Sequence, residues 1–208
     1  TSWYNNWTSY LIESLFKRHN KVISAVGEIK SVDFFLENNP IDLKVTFFPN
    51  QYMAAKMKEK LGQTELTWLK GKAKQAGITL PSTMSEPQMV YTLTEKLSEI
   101  GRNDILDELK AKRKEVISEA QVNVEELMTW LYANQGEMRF GAENRLFLIL
   151  VDPTDISQSW KMKRAFSLIE PKVKDYLDNF GKDSLKEVNF TYKGNNYKSL
   201  ADVIFIVK

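Results

Sequence analysis

Asp33, Asp42 and Lys44 stand in the run Val32-Asp33-Phe34-Phe35-Leu36-Glu37-Asn38-Asn39-Pro40-Ile41-Asp42-Leu43-Lys44-Val45. An aspartate, eight residues and then Asp-x-Lys is unusual cargo for a stretch that otherwise reads as core strand. Strand alternation puts Asp42 and Lys44 on one face and Ile41, Leu43 and Val45 on the other. Two carboxylates that approach each other can share a divalent cation, and a lysine beside them can meet a phosphoryl oxygen or an attacking water. Phosphodiester hydrolysis needs such a set. The water must lose a proton, the phosphate must gain negative charge, and the leaving alkoxide must be stabilised. A magnesium ion held by carboxylates serves the first and third needs, and a nearby ammonium serves the second. Lysine suits that role because its charge is compact. The plainer reading of the same residues is a hairpin edge with solvated charges and a Lys–Asp ion pair.

Positioning these groups falls to a hairpin. Asn38-Asn39-Pro40 lies between two β-rich runs and is turn chemistry, with the loop expected over 37–40. That register sets Asp33 across from Lys44 and diagonal to Asp42, about 7–8 Å away at Cα. A three-residue loop instead sends Asp33 to the other face unless a bulge restores it. Glu28-Ile29-Lys30 offers a rival E-x-K, but it lacks a suitable upstream strand aspartate.

Around the hairpin, periodicity predicts an amphipathic helix over 3–18, and helices over 51–61, 64–76, 86–100, 103–120 and 123–133. Arg145–Val151 is a nearly continuous apolar run, as expected of a strand buried on both faces. A helix is expected from about 157 to 180, interrupted or restarted near Pro171. Glu187–Tyr192 and Ala201–Val207 read as strands flanking the turn Lys193-Gly194-Asn195-Asn196. The order predicts an α/β fold in one domain over 1–208, with residues 78–135 as a helical insertion.

Composition removes other chemistries. The chain has 208 residues, no cysteine and one histidine. Disulfide, zinc-thiolate, iron–sulfur and multi-histidine centres are therefore excluded. His19 reads as a water-facing residue at a helix C-terminus. No phosphate-loop or dinucleotide-binding glycine motif is present. What remains is chemistry done by carboxylates, lysines and hard oxygen-loving cations. The 43% hydrophobic and 27% charged fractions are those of a globular protein, and the net charge is only +2. No apolar run approaches the roughly 18 residues of a membrane span, and no signal-type stretch opens the sequence, so a cytoplasmic location is expected.

The Asp33-x8-Asp42-x-Lys44 run resembles the PD-(D/E)xK signature of the restriction-endonuclease-like nucleases, with Val32 where that superfamily often has proline. The surrounding order also looks like its α-β-β-β-α-β core, carrying a terminal helix and strands as additions. The resemblance implies a restriction-endonuclease-like mixed central sheet flanked by helices. It implies Asp33 and Asp42 as metal ligands, Lys44 as the catalytic lysine, and Glu13 of the first helix as a candidate further ligand. Magnesium, with manganese as substitute, is the implied cofactor and double-stranded DNA the implied substrate. A homodimer is the common assembly of such enzymes. Gln51 has no tyrosine four residues later, so the Q-x-x-x-Y subtype is not supported. Junction-resolving, repair or transposition nucleases, or a silent DNA-binding module on the same scaffold, are the alternatives.

Basic residues supply candidate DNA contacts. Lys56, Lys60, Lys70 and Lys74 share a stripe if their helix runs on past Gly62, at about 100° per residue. A solvated helix face is the plainer reading. Lys161, Lys163 and Arg164 are expected to open a helix against its dipole, which favours a phosphate partner. Asp152 and Asp155 read as turn and N-cap residues, and the five tryptophans as core or interface anchors.

Overall fold

The structure, a computed structural model, describes residues 2–25, 32–79, 84–134 and 143–208, with side chains from Trp7 onward. The Glu28-Ile29-Lys30 alternative lies outside the described residues. In chain order the elements are α1 (Ser2–Lys17), β1 (Val22–Ser24), β2 (Phe34–Leu36) and β3 (Asn39–Phe47). Four helices follow: α2 (Asn50–Leu61), α3 (Glu65–Gln75), α4 (Glu86–Glu99) and α5 (Asn103–Val122). Next come α6 (Val124–Asn134), β4 (Arg145–Val151), the 3-10 helix η1 (Ile156–Arg164) and α7 (Phe166–Asn179). β5 (Lys186–Tyr192) and β6 (Asn195–Val207) end the chain.

Six strands form one mixed sheet in the order β1-β2-β3-β4-β6-β5. β1, β2 and β3 are an antiparallel meander, β4 lies parallel to both β3 and β6, and β5 is antiparallel to β6. The protein is thus α/β, a six-stranded mixed sheet flanked by helices. One face carries Ile41 and Leu43 of β3, Leu146, Leu148 and Leu150 of β4, and Ile204 and Ile206 of β6. Ile12 and Phe16 of α1, Met162 of η1, and Ile169, Val173 and Leu177 of α7 close over it. On the other face Tyr132 of α6 meets Phe147 edge-on at 5.6 Å and stacks on Phe190 at 4.5 Å. β4 is buried at all seven positions because both its faces are covered, as its unbroken apolar run requires.

Two compact units divide the chain: Thr1–Phe48 with Ala120–Lys208, and Pro49–Glu119. The second comprises α2, α3, α4 and most of α5, with Met57, Leu69, Leu93, Leu97 and Ile105 buried. The block expected over 78–135 therefore falls across both. Its last helix, α6, belongs with the sheet, because Leu127, Met128, Leu131 and Tyr132 are buried and the helix packs on β5 and β6.

Two turns differ from expectation. Leu36 pairs with Asn39, so the hairpin loop is Glu37–Asn38 alone rather than 37–40, and Pro40 lies within β3 opposite Phe35. Strand alternation explains the tolerance: the amides of even residues in β3 point toward β4, whose pairing begins only at Asp42, so the missing N–H of Pro40 has no strand to meet. The shortened loop forces Glu37 into the left-handed region at φ 54°. At the other hairpin Tyr192 pairs with Asn195, leaving Lys193 and Gly194 as a two-residue turn, both with positive φ. Asn195 and Asn196 extend β6. The helix expected over 157–180 breaks at Ala165, and Pro171 sits inside α7 without ending it.

Candidate active site

The site grows out of the edge of β3. Along a strand, successive amides point to opposite sides, and here the Asp42 amide donates toward β4, to the Asn144 carbonyl at 2.9 Å. The Leu43 amide points the other way, where β2 would continue. Instead of a β2 carbonyl it meets Oδ2 of Asp33 at 2.7 Å. The Asp33 amide in turn donates to the Ile41 carbonyl at 2.9 Å, although Phe34 is the register partner of Ile41. Asp33 and Phe34 thus both stand opposite Ile41, the geometry of a β-bulge that bends the chain away from its neighbour. The expected register, with Asp33 across from Lys44, is replaced by one in which Asp33 lies beside Ile41 and reaches the backbone next to Asp42.

Asp42 is buried, with Oδ1 at 2.8 Å from the Lys44 ammonium. Its Oδ2 accepts from Nε of Arg145 at 3.3 Å. The parallel register makes Arg145 the β4 neighbour of Asp42. Nη2 of Arg145 donates to Glu143 at 3.0 Å, and its guanidinium lies 5.1 Å over the Tyr132 ring. Burial raises the Tyr132 hydroxyl to about 12, against opposing pulls from Ser199 and Arg145.

Asp33 and Glu13 complete the acidic side. Burial raises the Asp33 carboxyl above its ordinary value, the Leu43 amide opposes this, and the charges of Glu13 and Asp42 raise it further. Lys44 opposes them. Glu13, Asp42 and Lys44 therefore all act on Asp33 through their charges, and Glu13 is also paired with Lys17 one helical turn on. Among the described residues no three histidine, aspartate or glutamate side chains converge to hold a metal ion. Magnesium commonly needs only one or two protein carboxylates, with water and substrate phosphate completing its octahedron. Asp33 and Asp42 fit that demand in kind: two hard-oxygen donors at neighbouring backbone positions, with Glu13 acting on Asp33 through its charge.

Sequence reasoning missed Arg145, Glu143 and Tyr132. A signal was present, since Arg145 opens a strand otherwise buried on both faces, and a buried guanidinium requires charged partners.

Elsewhere the basic residues separate. Gly62, at φ 69°, ends α2, so the stripe does not run on. Lys56 pairs with Glu59 at 3.4 Å. Lys60 is neutralised by Glu119 at 2.6 Å and Glu115 at 3.5 Å. Lys70 and Lys74 are exposed, with no ion pair among the described residues. Lys161, Lys163 and Arg164 lie in the last turn of η1, not the first turn of a helix, so the dipole no longer argues for a phosphate there. Lys163 lies 5.3 Å over the Phe47 ring, and burial lowers its pKa. His19, expected to face water, pairs with Asp178 at 3.0 Å. Asp155 caps η1 through the Ser157 amide, and Asp152 accepts the Thr154 amide, both 3.0 Å. Trp68 is buried, while Trp7 and Trp160 are more than half exposed and so stand outside the core. No helix among the described residues is long and apolar enough to cross a membrane. No protein-family model, no curated protein and no solved structure matches this chain.

Proposed function

We propose that this chain is a magnesium-dependent DNA endonuclease with a restriction-endonuclease-like fold. The observation that carries the reading is the grouping at the β3 edge. Asp42 and Lys44 share a face with ammonium and carboxylate 2.8 Å apart, and Asp33 reaches the intervening Leu43 amide within the field of Glu13. The order α1-β1-β2-β3, helices, β4 supports it, since it follows the α-β-β-β-α-β core that the Asp33-x8-Asp42-x-Lys44 signature implies.

Asp33 and Asp42 would hold magnesium, with manganese as substitute, and the bound ion would supply Lewis acidity to a phosphoryl oxygen and lower the pKa of the attacking water. The chain's own groups do the rest. Asp33 is anchored by the Leu43 amide through one oxygen, which leaves the other for the reacting centre. Lys44 is 44% exposed, so its ammonium can exchange the Asp42 carboxylate for a phosphate oxygen, where its charge counts most as negative charge develops. The candidate contacts to the phosphate backbone of double-stranded DNA are, in the unit that carries the sheet, Lys161, Lys163 and Arg164, and, taken separately in the helical unit, Lys70 and Lys74. A homodimer would supply one centre per strand.

A second reading, a non-catalytic DNA-binding module, is favoured by one observation. Both oxygens of Asp42 already meet cations and Asp33 already serves as an edge acceptor. Incubation with plasmid DNA decides between them. Nicked or linear product with magnesium and none in EDTA is expected, and intact plasmid with magnesium and with manganese gives the second reading its place.

A further inference from the structure

Arg145 is the bulkiest of the fully buried side chains among the described residues. A guanidinium out of water is retained only where its donors are met, and here Nε and Nη2 meet carboxylates while its face meets a ring. Nε reaches Oδ2 of Asp42, Nη2 reaches Glu143, and the plane lies over Tyr132, whose hydroxyl donates to the Glu143 carbonyl at 2.8 Å. The guanidinium is shut off from solvent, with the residue 2% exposed. The two oxygens of Asp42 are therefore unequal: Oδ2 is held by a buried guanidinium, and Oδ1 by the half-exposed ammonium of Lys44.

We propose that Arg145 is a positioning residue that reserves Oδ1 of Asp42 for the reaction, and that Glu143 shares the guanidinium charge so that Asp42 keeps its hold on a divalent cation. This rests on the nuclease reading of the same site. A carboxylate that offers one oxygen suits the small octahedral magnesium or manganese ion. It serves calcium poorly, because calcium takes six to eight oxygens and often a bidentate carboxylate.

Manganese binding without DNA, read from the free-ion signal in electron paramagnetic resonance, tests this alongside cleavage and thermal melting. Arg145→Lys keeps the charge and removes the fork. Glu143→Gln, at a partly exposed position, keeps the shape and removes the shared charge. Each is expected to weaken manganese binding or cleavage by about 10–100-fold, as loss of a residue that orients a ligand does. Arg145→Lys should also narrow the preference for manganese over calcium, measured by competition. If Arg145→Lys does not fold, Glu143→Gln carries the test. Wild-type protein that binds manganese and cuts DNA, with the folded variants indistinguishable from it, overturns the positioning role and leaves the nuclease reading standing. Wild-type protein that neither binds manganese nor cuts overturns both.

Discussion

Oδ2 of Asp33 accepts the Leu43 amide at 2.7 Å, in the place a β2 carbonyl would occupy had the hairpin ladder continued. One carboxylate thus completes a strand edge and carries a charge within the field of Glu13 and Asp42. The first role is available to a neutral amide oxygen, and the second is not.

Asp33→Asn should therefore separate stability from activity. Burial and the charges of Glu13 and Asp42 raise the folded pKa of Asp33, so its ionised form opposes folding. The favourable contribution is complete below the ordinary value of 3.8 and is lost as pH rises through the higher folded value. Asparagine keeps an acceptor for Leu43 without the charge. Melting curves across pH should show the variant at least as stable as wild type at neutral pH, the difference closing as pH falls toward 3.8, while cleavage is lost. A variant clearly less stable at neutral pH would contradict this account.

Lys44→Ala should lose about 10²–10³ in cleavage rate at saturating DNA and retain most of the affinity, as expected of a charge matched to the transition state. Equal rates for variant and wild type in saturated complexes would place the reacting centre elsewhere.

Lysines with and without acidic partners should differ in salt dependence. Replacing both Lys70 and Lys74 should flatten the slope of log K against log salt by up to about 0.9 for each DNA phosphate they neutralise. Lys60→Ala should leave that slope unchanged, because Glu115 and Glu119 already neutralise its ammonium. Filter binding from low to moderate salt would show the contrast.

Asp152→Asn should destabilise at neutral pH. Burial alone would raise this carboxyl, but Lys208, at 2.7 Å, with the Thr154 hydroxyl and the Thr154 and Asp155 amides, holds it down to about 2. That stabilisation is present above the ordinary 3.8 and fades as pH falls through about 2. A charged hydrogen bond is worth about 1.5–3 kcal/mol, so the deficit in a thermal melt at neutral pH should be several degrees and should close in acid.

Lys193→Asn should stabilise the β5–β6 hairpin. Lys193 has φ 48° and Gly194 φ 81°, a turn with both central residues left-handed, for which Asn-Gly is the preferred pair. A left-handed L-residue costs about 1–2 kcal/mol, and asparagine should recover part of it. A melting temperature raised by about 1–4 °C is expected, and a lowered one would show that Lys193 is held by contacts beyond its backbone.

Most of the element order was legible in the chain because it is written in local periodicity. The alternation around Asp42 and Lys44, the apolar run of β4 and the caps and glycines that divide α2, α3, α4 and α5 each act over a few residues. The same locality made Asp33, Asp42 and Lys44 visible as a set. Register was not legible, because a two-residue and a four-residue loop differ little in composition yet move Asp33 along β3 and let a bulge redirect it. Nor was the extent of η1, whose last turn holds Lys161, Lys163 and Arg164 where a first turn was expected. The pairing of Asp42 with Arg145, and of Lys60 with Glu119, joins residues far apart in the chain. Their charges are set against each other only when parallel strands and packed helices bring them within ion-pair distance. Sequence therefore determined which groups are available for chemistry. Tertiary structure alone decided which are committed to one another, because commitment depends on distance in space and on exclusion from water.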